Sequence, residues 1–161
     1  MLRQKQTQND MTHKLDYNEA LMALTTIVAW ADGENQDAEV DARVQMILEE
    51  KISDTLIDAF KIKYDEIGDN EKLFGLAILA INNENTEKKA KALAWMWQVA
   101  NVAEEGVRGR LDYIEDVWKS NKDNVDLAEL KWINRAKKDL AIDLADFKIA
   151  FSKISKADRI I

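Results

Sequence analysis

Asp32, Glu34, Asp37, Glu39 and Asp41 place five carboxylates within ten residues, and no Lys or Arg interrupts them. Helical periodicity puts Asp32 where one helix ends and Glu39 in the first turn of the next, so a short loop can gather these carboxylates around one ion. Oxygen-only donors suit hard divalent cations such as Ca²⁺ or Mg²⁺. The spacing is not that of an EF-hand, because the Asp-x-Asp-x-Asp-Gly run and the bidentate Glu at its twelfth position are both missing. The same residues also have a purely structural use. Each carboxylate in a first helical turn stabilises the helix dipole by roughly 0.3–1 kcal/mol, and Asp32-Gly33 is an ordinary turn pair.

Little else in the chain has the residue types of a catalytic centre. His13 is the single histidine and falls in a polar leader, so a Ser-His-Asp arrangement lacks its base. The absence of cysteine excludes disulfides and thiolate metal sites. Helical metal enzymes carry Glu-x-x-His sets, and this chain has none; no enzymatic activity is expected. A second acidic stretch, Glu104, Glu105, Asp112, Glu115 and Asp116, is broken by Arg108 and Arg110 and reads as a solvated face. Gly106 and Gly109 read as a turn, since a phosphate loop needs more glycines and a preceding strand. Trp30, Trp95, Trp97, Trp118 and Trp132 lie at helical spacing beside Leu and Met and are expected in the core. Lys137, Lys138, Lys148, Lys153 and Lys156 are expected on a solvated helix surface.

The elements that position these residues are helices. The chain has 161 residues and no proline, which favours long uninterrupted helices in one domain. The pattern predicts a flexible leader over residues 1–14, then a single all-α domain over 15–161 with about seven to eight helices. The first runs from Asp16 to Ala31, carries one apolar stripe and stops at Gly33. The second starts near Asp37 and carries Val40, Val44, Ile47 and Leu48 on one face. A third is capped by Ser53 or Asp54, turns Leu56, Ile57 and Phe60 inward and stops at Gly68. The fourth opens near Asp69, and its Leu73–Ile81 run is apolar nearly all round, which predicts a central helix. Thr86 is the expected cap of the fifth, which reaches about Glu104. Further helices are predicted over Arg110–Ser120, after Asp126, and after Asp143. Short loops predict that consecutive helices pack against each other.

Composition narrows the function classes. A net charge of −7 speaks against nucleic acid as a partner. The longest unbroken apolar stretch, Leu73–Ile81, is too short to span a bilayer, and a cytoplasmic protein is expected.

The segment Ile27-Val28-Ala29-Trp30-Ala31-Asp32-Gly33-Glu34, with Glu39 seven residues after Asp32, resembles the first motif of TerB-like tellurite-resistance proteins. Two segments stand as candidates for that family's second motif. In one, Glu105-Gly106 takes the place of Asp-Gly and Asp112 follows at the same spacing. In the other, Lys122-Asp123 does so with Glu129, ahead of a Leu140-Ala141-Ile142 run that is similar to the family's Leu-Gly-Leu end. The resemblance implies a cytoplasmic all-helical fold and a role in tellurite resistance or stress response without an assigned reaction. It further implies an acidic, metal-associated surface built from Asp32, Glu34, Glu39, Glu105 and Asp112. The ligand would be a divalent cation (Ca²⁺, Mg²⁺ or Zn²⁺), and the partner a protein, as in a membrane-associated complex; a homo-oligomer is also compatible. The alternative is an adaptor that binds no metal and docks a protein on an exposed helix face, which predicts a contiguous exposed apolar patch.

Overall fold

The computed structural model describes residues 14–31, 37–102 and 128–154. These residues form seven helices and no strands: α1 (Tyr17–Ala29), α2 (Asp37–Glu49), α3 (Asp54–Ile67), α4 (Asn70–Asn82), α5 (Thr86–Val102), α6 (Ala128–Leu140) and α7 (Leu144–Ile154). The architecture is the expected all-α bundle. The helix predicted over Arg110–Ser120 lies outside the described residues, as do His13, Trp118 and the predicted cap Asp126.

Side-chain caps start most of the helices. Asp16 and Glu19 form a reciprocal capping box at α1, with Asp16 Oδ1 accepting from the Glu19 N–H at 2.8 Å and Glu19 Oε1 from the Asp16 N–H at 3.1 Å. Ser53, Asp69 and Asp143 cap α3, α4 and α7, each side chain accepting one backbone N–H of the first turn. At α5 the capping residue is Asn85, whose Oδ1 accepts from the Lys88 N–H at 2.9 Å; Thr86, the expected cap, is already helical. Gly68 ends α3 in the left-handed region at φ 64°. Lys51 and Ala141 adopt the same conformation after α2 and α6, at φ 54° and 53°.

α1 and α5 are the two central helices. Every residue from Glu19 to Ala29 and from Ala92 to Ala100 is buried. The single apolar stripe expected for α1 is therefore too narrow a description. Its remaining faces are filled by small and hydroxylated residues, with Thr25 and Thr26 hydroxyls donating back to the Leu21 and Met22 carbonyls. α4, expected at the centre, lies to one side: Leu73, Phe74, Ala77, Ile78 and Ile81 are buried while Leu79 is 64% exposed. α1 packs chiefly on α4 and α5, and α5 chiefly on α7. The dominant packing is thus between helices distant in sequence, not the consecutive pairs that short loops suggested. Trp97, Phe147 and Phe151 form a ring cluster at the α5–α7 contact, with centroid separations of 6.1 and 5.6 Å.

Candidate binding surface on the first helix pair

α2 is held in place along one face only. Ala42 and Met46, four residues apart, are buried, and the small Ala42 lets α2 approach α5 and α1 closely. Two polar ties reinforce that face. Arg43 Nη2 donates to Thr26 Oγ1 on α1 at 2.6 Å. Glu50, just past the end of α2, accepts from Lys91 Nζ at 2.8 Å and from Trp95 Nε1 at 3.4 Å, both on α5. The Glu50 side chain is only 8% exposed, so this pair is substantially withdrawn from solvent and screened less than a surface pair.

The opposite face of α2 points away from the core. Val40, Val44 and Leu48, spaced by four residues, are 39%, 47% and 72% exposed. The sequence pattern groups these three with Ile47 on one apolar face, and the structure turns that face outward. Valine and leucine dominate any apolar periodicity, while the true inner positions carry Ala, Met and Arg, which weigh little in such a pattern. Ile47 is half-buried between the two faces. Trp30, the C-cap of α1, is also exposed at 47% rather than in the core. Trp95 and Trp97 are fully buried as expected, and Trp132 is half-buried against Phe74 at 5.2 Å.

The predicted acidic residues are placed only in part. α1 ends at Ala29, earlier than the expected stop at Gly33, and α2 begins at Asp37. Glu39 is the third residue of α2, and Asp41, two residues on, is exposed. Asp32, Glu34, Glu105 and Asp112 lie outside the described residues, as does Lys122-Asp123. Among the described residues, no three acidic or histidine side chains are grouped so as to hold a metal ion. Comparison with protein-family models, curated proteins and solved structures finds no match. Among the described residues, no helix is long and apolar enough to cross a membrane.

Other buried polar groups serve as struts. Glu19, 3% exposed, pairs with Lys63 of α3 at 2.9 Å, and Lys63 also donates to the Lys14 carbonyl at 3.0 Å. The Tyr17 hydroxyl donates to the Lys88 carbonyl at 2.7 Å while Lys88 Nζ sits 5.0 Å from its ring centre. Burial, and then the nearby charges of Glu50 and Glu84, push the Tyr17 phenol well above its ordinary range. Lys137, expected on a solvated surface, is buried at 7% exposure.

Arg43 escaped the sequence reading, although a signal for it was present. It is the sole basic residue between Lys14 and Lys51, in a stretch otherwise rich in acids. A lone arginine there marks a position with a task of its own.

Proposed function

We propose that this chain is a non-enzymatic, TerB-like binding protein that engages a protein partner, a divalent cation or both through the α1–loop–α2 surface. Its role would lie in tellurite resistance or stress response, within a membrane-associated complex, as the resemblance of the Ala31-Asp32-Gly33…Glu39 segment implies. The observation that carries the proposal is the Val40–Val44–Leu48 stripe. An exposed run of branched apolar side chains, on a helix whose first turns carry Asp37, Glu39 and the exposed Asp41, gives an apolar seam beside acidic residues. Such a surface suits a partner that presents apolar anchors ringed by Lys or Arg. The adaptor alternative draws on the same stripe and differs only in needing no ion.

The decisive experiment separates the two components. The protein is used as bait in crosslinking and co-purification from its native cells, in parallel with Val44→Lys/Leu48→Gln and with an Ile62→Gln control on α3, where Ile62 is 61% exposed. The expected result is a partner retained by wild type and Ile62→Gln and lost from the double variant. Equal recovery by all three refutes the stripe as the binding surface. Separately, thermal shifts with Ca²⁺, Mg²⁺ or Zn²⁺ are compared with those of Asp32→Asn/Glu39→Gln. A metal-dependent shift abolished in that variant supports the cation component, and no shift in wild type leaves the adaptor form alone.

A further inference from the structure

Between α1, α2 and α3 lies a groove of about 350 Å³, within the roughly 300–1,000 Å³ range of small-molecule sites. Its walls are apolar: Met22 from α1, Ile47 from α2, Ile57 and Phe60 from α3. Phe60 and Tyr64 stand with ring centroids 6.0 Å apart along one side. Into this apolar lining the chain places one guanidinium, that of Arg43.

Thr26 fixes that guanidinium. The Thr26 hydroxyl donates to the Met22 carbonyl at 2.6 Å and accepts from Arg43 Nη2 at 2.6 Å, so its one proton is committed to α1 and a lone pair is left to hold the guanidinium. Arg43 Nε is buried and has no hydrogen-bond partner. Among the described residues, no carboxylate lies within ion-pair distance of Arg43 or of Lys61, which also lines the groove. A guanidinium carries five N–H donors in a rigid fork, and the bond to Thr26 uses one. A charge that is withdrawn from water without a counter-ion is costly, and its burial lowers the Arg43 pKa. Asp65 is the groove's acid; with Arg43 and Lys61 it leaves the lining with one net positive charge.

We propose that this groove binds a small monocarboxylate with an apolar body, its carboxylate on Arg43 and its hydrocarbon against Ile57 and Phe60. The fork of the guanidinium matches a carboxylate in plane and spacing. One net positive charge balances a monoanion, whereas a phosphate monoester dianion would exceed it and face Asp65. The apolar walls supply affinity that a small hydrated anion such as acetate cannot use. The site is distinct from the outward stripe of α2, since Arg43 and Ile47 are half-buried on the flank of that helix, between the buried Ala42 and Met46 and the exposed Val44 and Leu48.

The test is calorimetric titration and thermal shift of the full chain with hexanoate, against hexanol, hexylammonium, hexyl phosphate and acetate. Hexanoate is expected to bind and raise the melting temperature, each of the other four probes binding at least about tenfold more weakly, the scale of one lost charge-assisted hydrogen bond. Arg43→Lys is expected to lose about tenfold or more in affinity. Lys61→Glu, at an exposed position, inverts the net charge of the lining without touching the core and is expected to weaken hexanoate in a salt-dependent manner. This second variant keeps the proposal testable should Arg43→Lys fold poorly. Absence of hexanoate binding to wild type overturns the proposal, as does affinity unchanged by Lys61→Glu. Tighter binding of hexyl phosphate or of hexanol overturns the carboxylate assignment.

Discussion

Replacing Val44 by Lys and Leu48 by Gln distinguishes the observed orientation of α2 from the one its apolar pattern suggests. Leu48 is 72% exposed and Val44 47%, so about a quarter and a half of their burial remain to be lost. Full burial of such side chains is worth about 1.5–3 kcal/mol each, which puts the combined loss near 1–2 kcal/mol. Two gains offset part of it. Lys is a better helix former than Val by a few tenths of a kcal/mol, while Gln and Leu are about equal. The ammonium introduced in place of Val44 would also stand three residues after the exposed Asp41, an (i, i+3) pair worth about 0.2–0.5 kcal/mol. The net cost is about 1 kcal/mol, a fall in melting temperature of roughly 2–4 °C for a chain of this size.

Met46→Ala is the companion variant. Met46 is 0% exposed, and truncating a buried Met costs about 2–5 kcal/mol, equivalent to roughly 4–20 °C. Far-ultraviolet circular dichroism during thermal and urea unfolding measures both. The expected order is a small effect for Val44→Lys/Leu48→Gln and a large one for Met46→Ala. With Val44 and Leu48 facing the core, the double variant would bury an unpaired ammonium at a cost of several kcal/mol. A double variant as destabilised as Met46→Ala refutes the orientation, and the binding surface with it.

Helix termini and one half-buried phenol give three further tests. Gly68 sits at φ 64°, where an added Cβ meets nothing closer than the Asp65 carbonyl at 3.8 Å, so Gly68→Ala should cost about 1 kcal/mol from backbone conformation alone. Ala141→Gly, at φ 53° on an exposed turn, should gain up to about 1 kcal/mol by the same reasoning in reverse; both are read from urea midpoints. For Tyr17, the folded phenol titrates above the unfolded one, so its contribution to stability is fully present below the unfolded pKa of about 10 and declines as pH rises above it. Urea unfolding of wild type should therefore weaken between neutral pH and strongly alkaline pH more than that of Tyr17→Phe, and parallel pH profiles would refute the assignment.

The sequence disclosed the helices better than their orientations. Helix boundaries are written in local chemistry, such as the Asp16–Glu19 box, Ser53, Gly68 and Asp143, and each acts within a few residues of itself. Which face turns inward depends on partners far along the chain. α1 and α5 are buried on all sides because α4, α7 and each other cover them, and no period within α1 announces that. α2 is the sharpest case, since its inner side is held by an alanine, a methionine, the hydrogen bond that Arg43 donates to Thr26 and those that Glu50 accepts from α5. Positive φ at Lys51 and Ala141 was likewise invisible, because the residues there are not glycine. Of the acidic site, only the start of the second helix at Asp37 was legible and is placed as expected.

Charge distribution ties the two faces of α2 to one another. Between Lys14 and Lys51 the chain carries nine acidic residues and one arginine, a net −8 against −7 for the whole protein. The entire excess charge of the molecule thus resides in α1, α2 and the segment joining them, and the rest of the chain is close to neutral. A region so anionic keeps α2 in water on its outer side and discourages self-association through the Val40–Val44–Leu48 stripe, because two copies would bring like charges together. The same charge is what the proposed cation or basic partner would meet at the stripe. On the inner side, Arg43 sits within that negative field with no carboxylate of its own among the described residues, held by Thr26 beside an apolar groove. A guanidinium stays protonated at ordinary pH, and the Nε donor of Arg43 is left without a partner. One helix therefore offers an acid-bordered apolar face outward and a single positive charge inward, and these call for ligands of opposite sign.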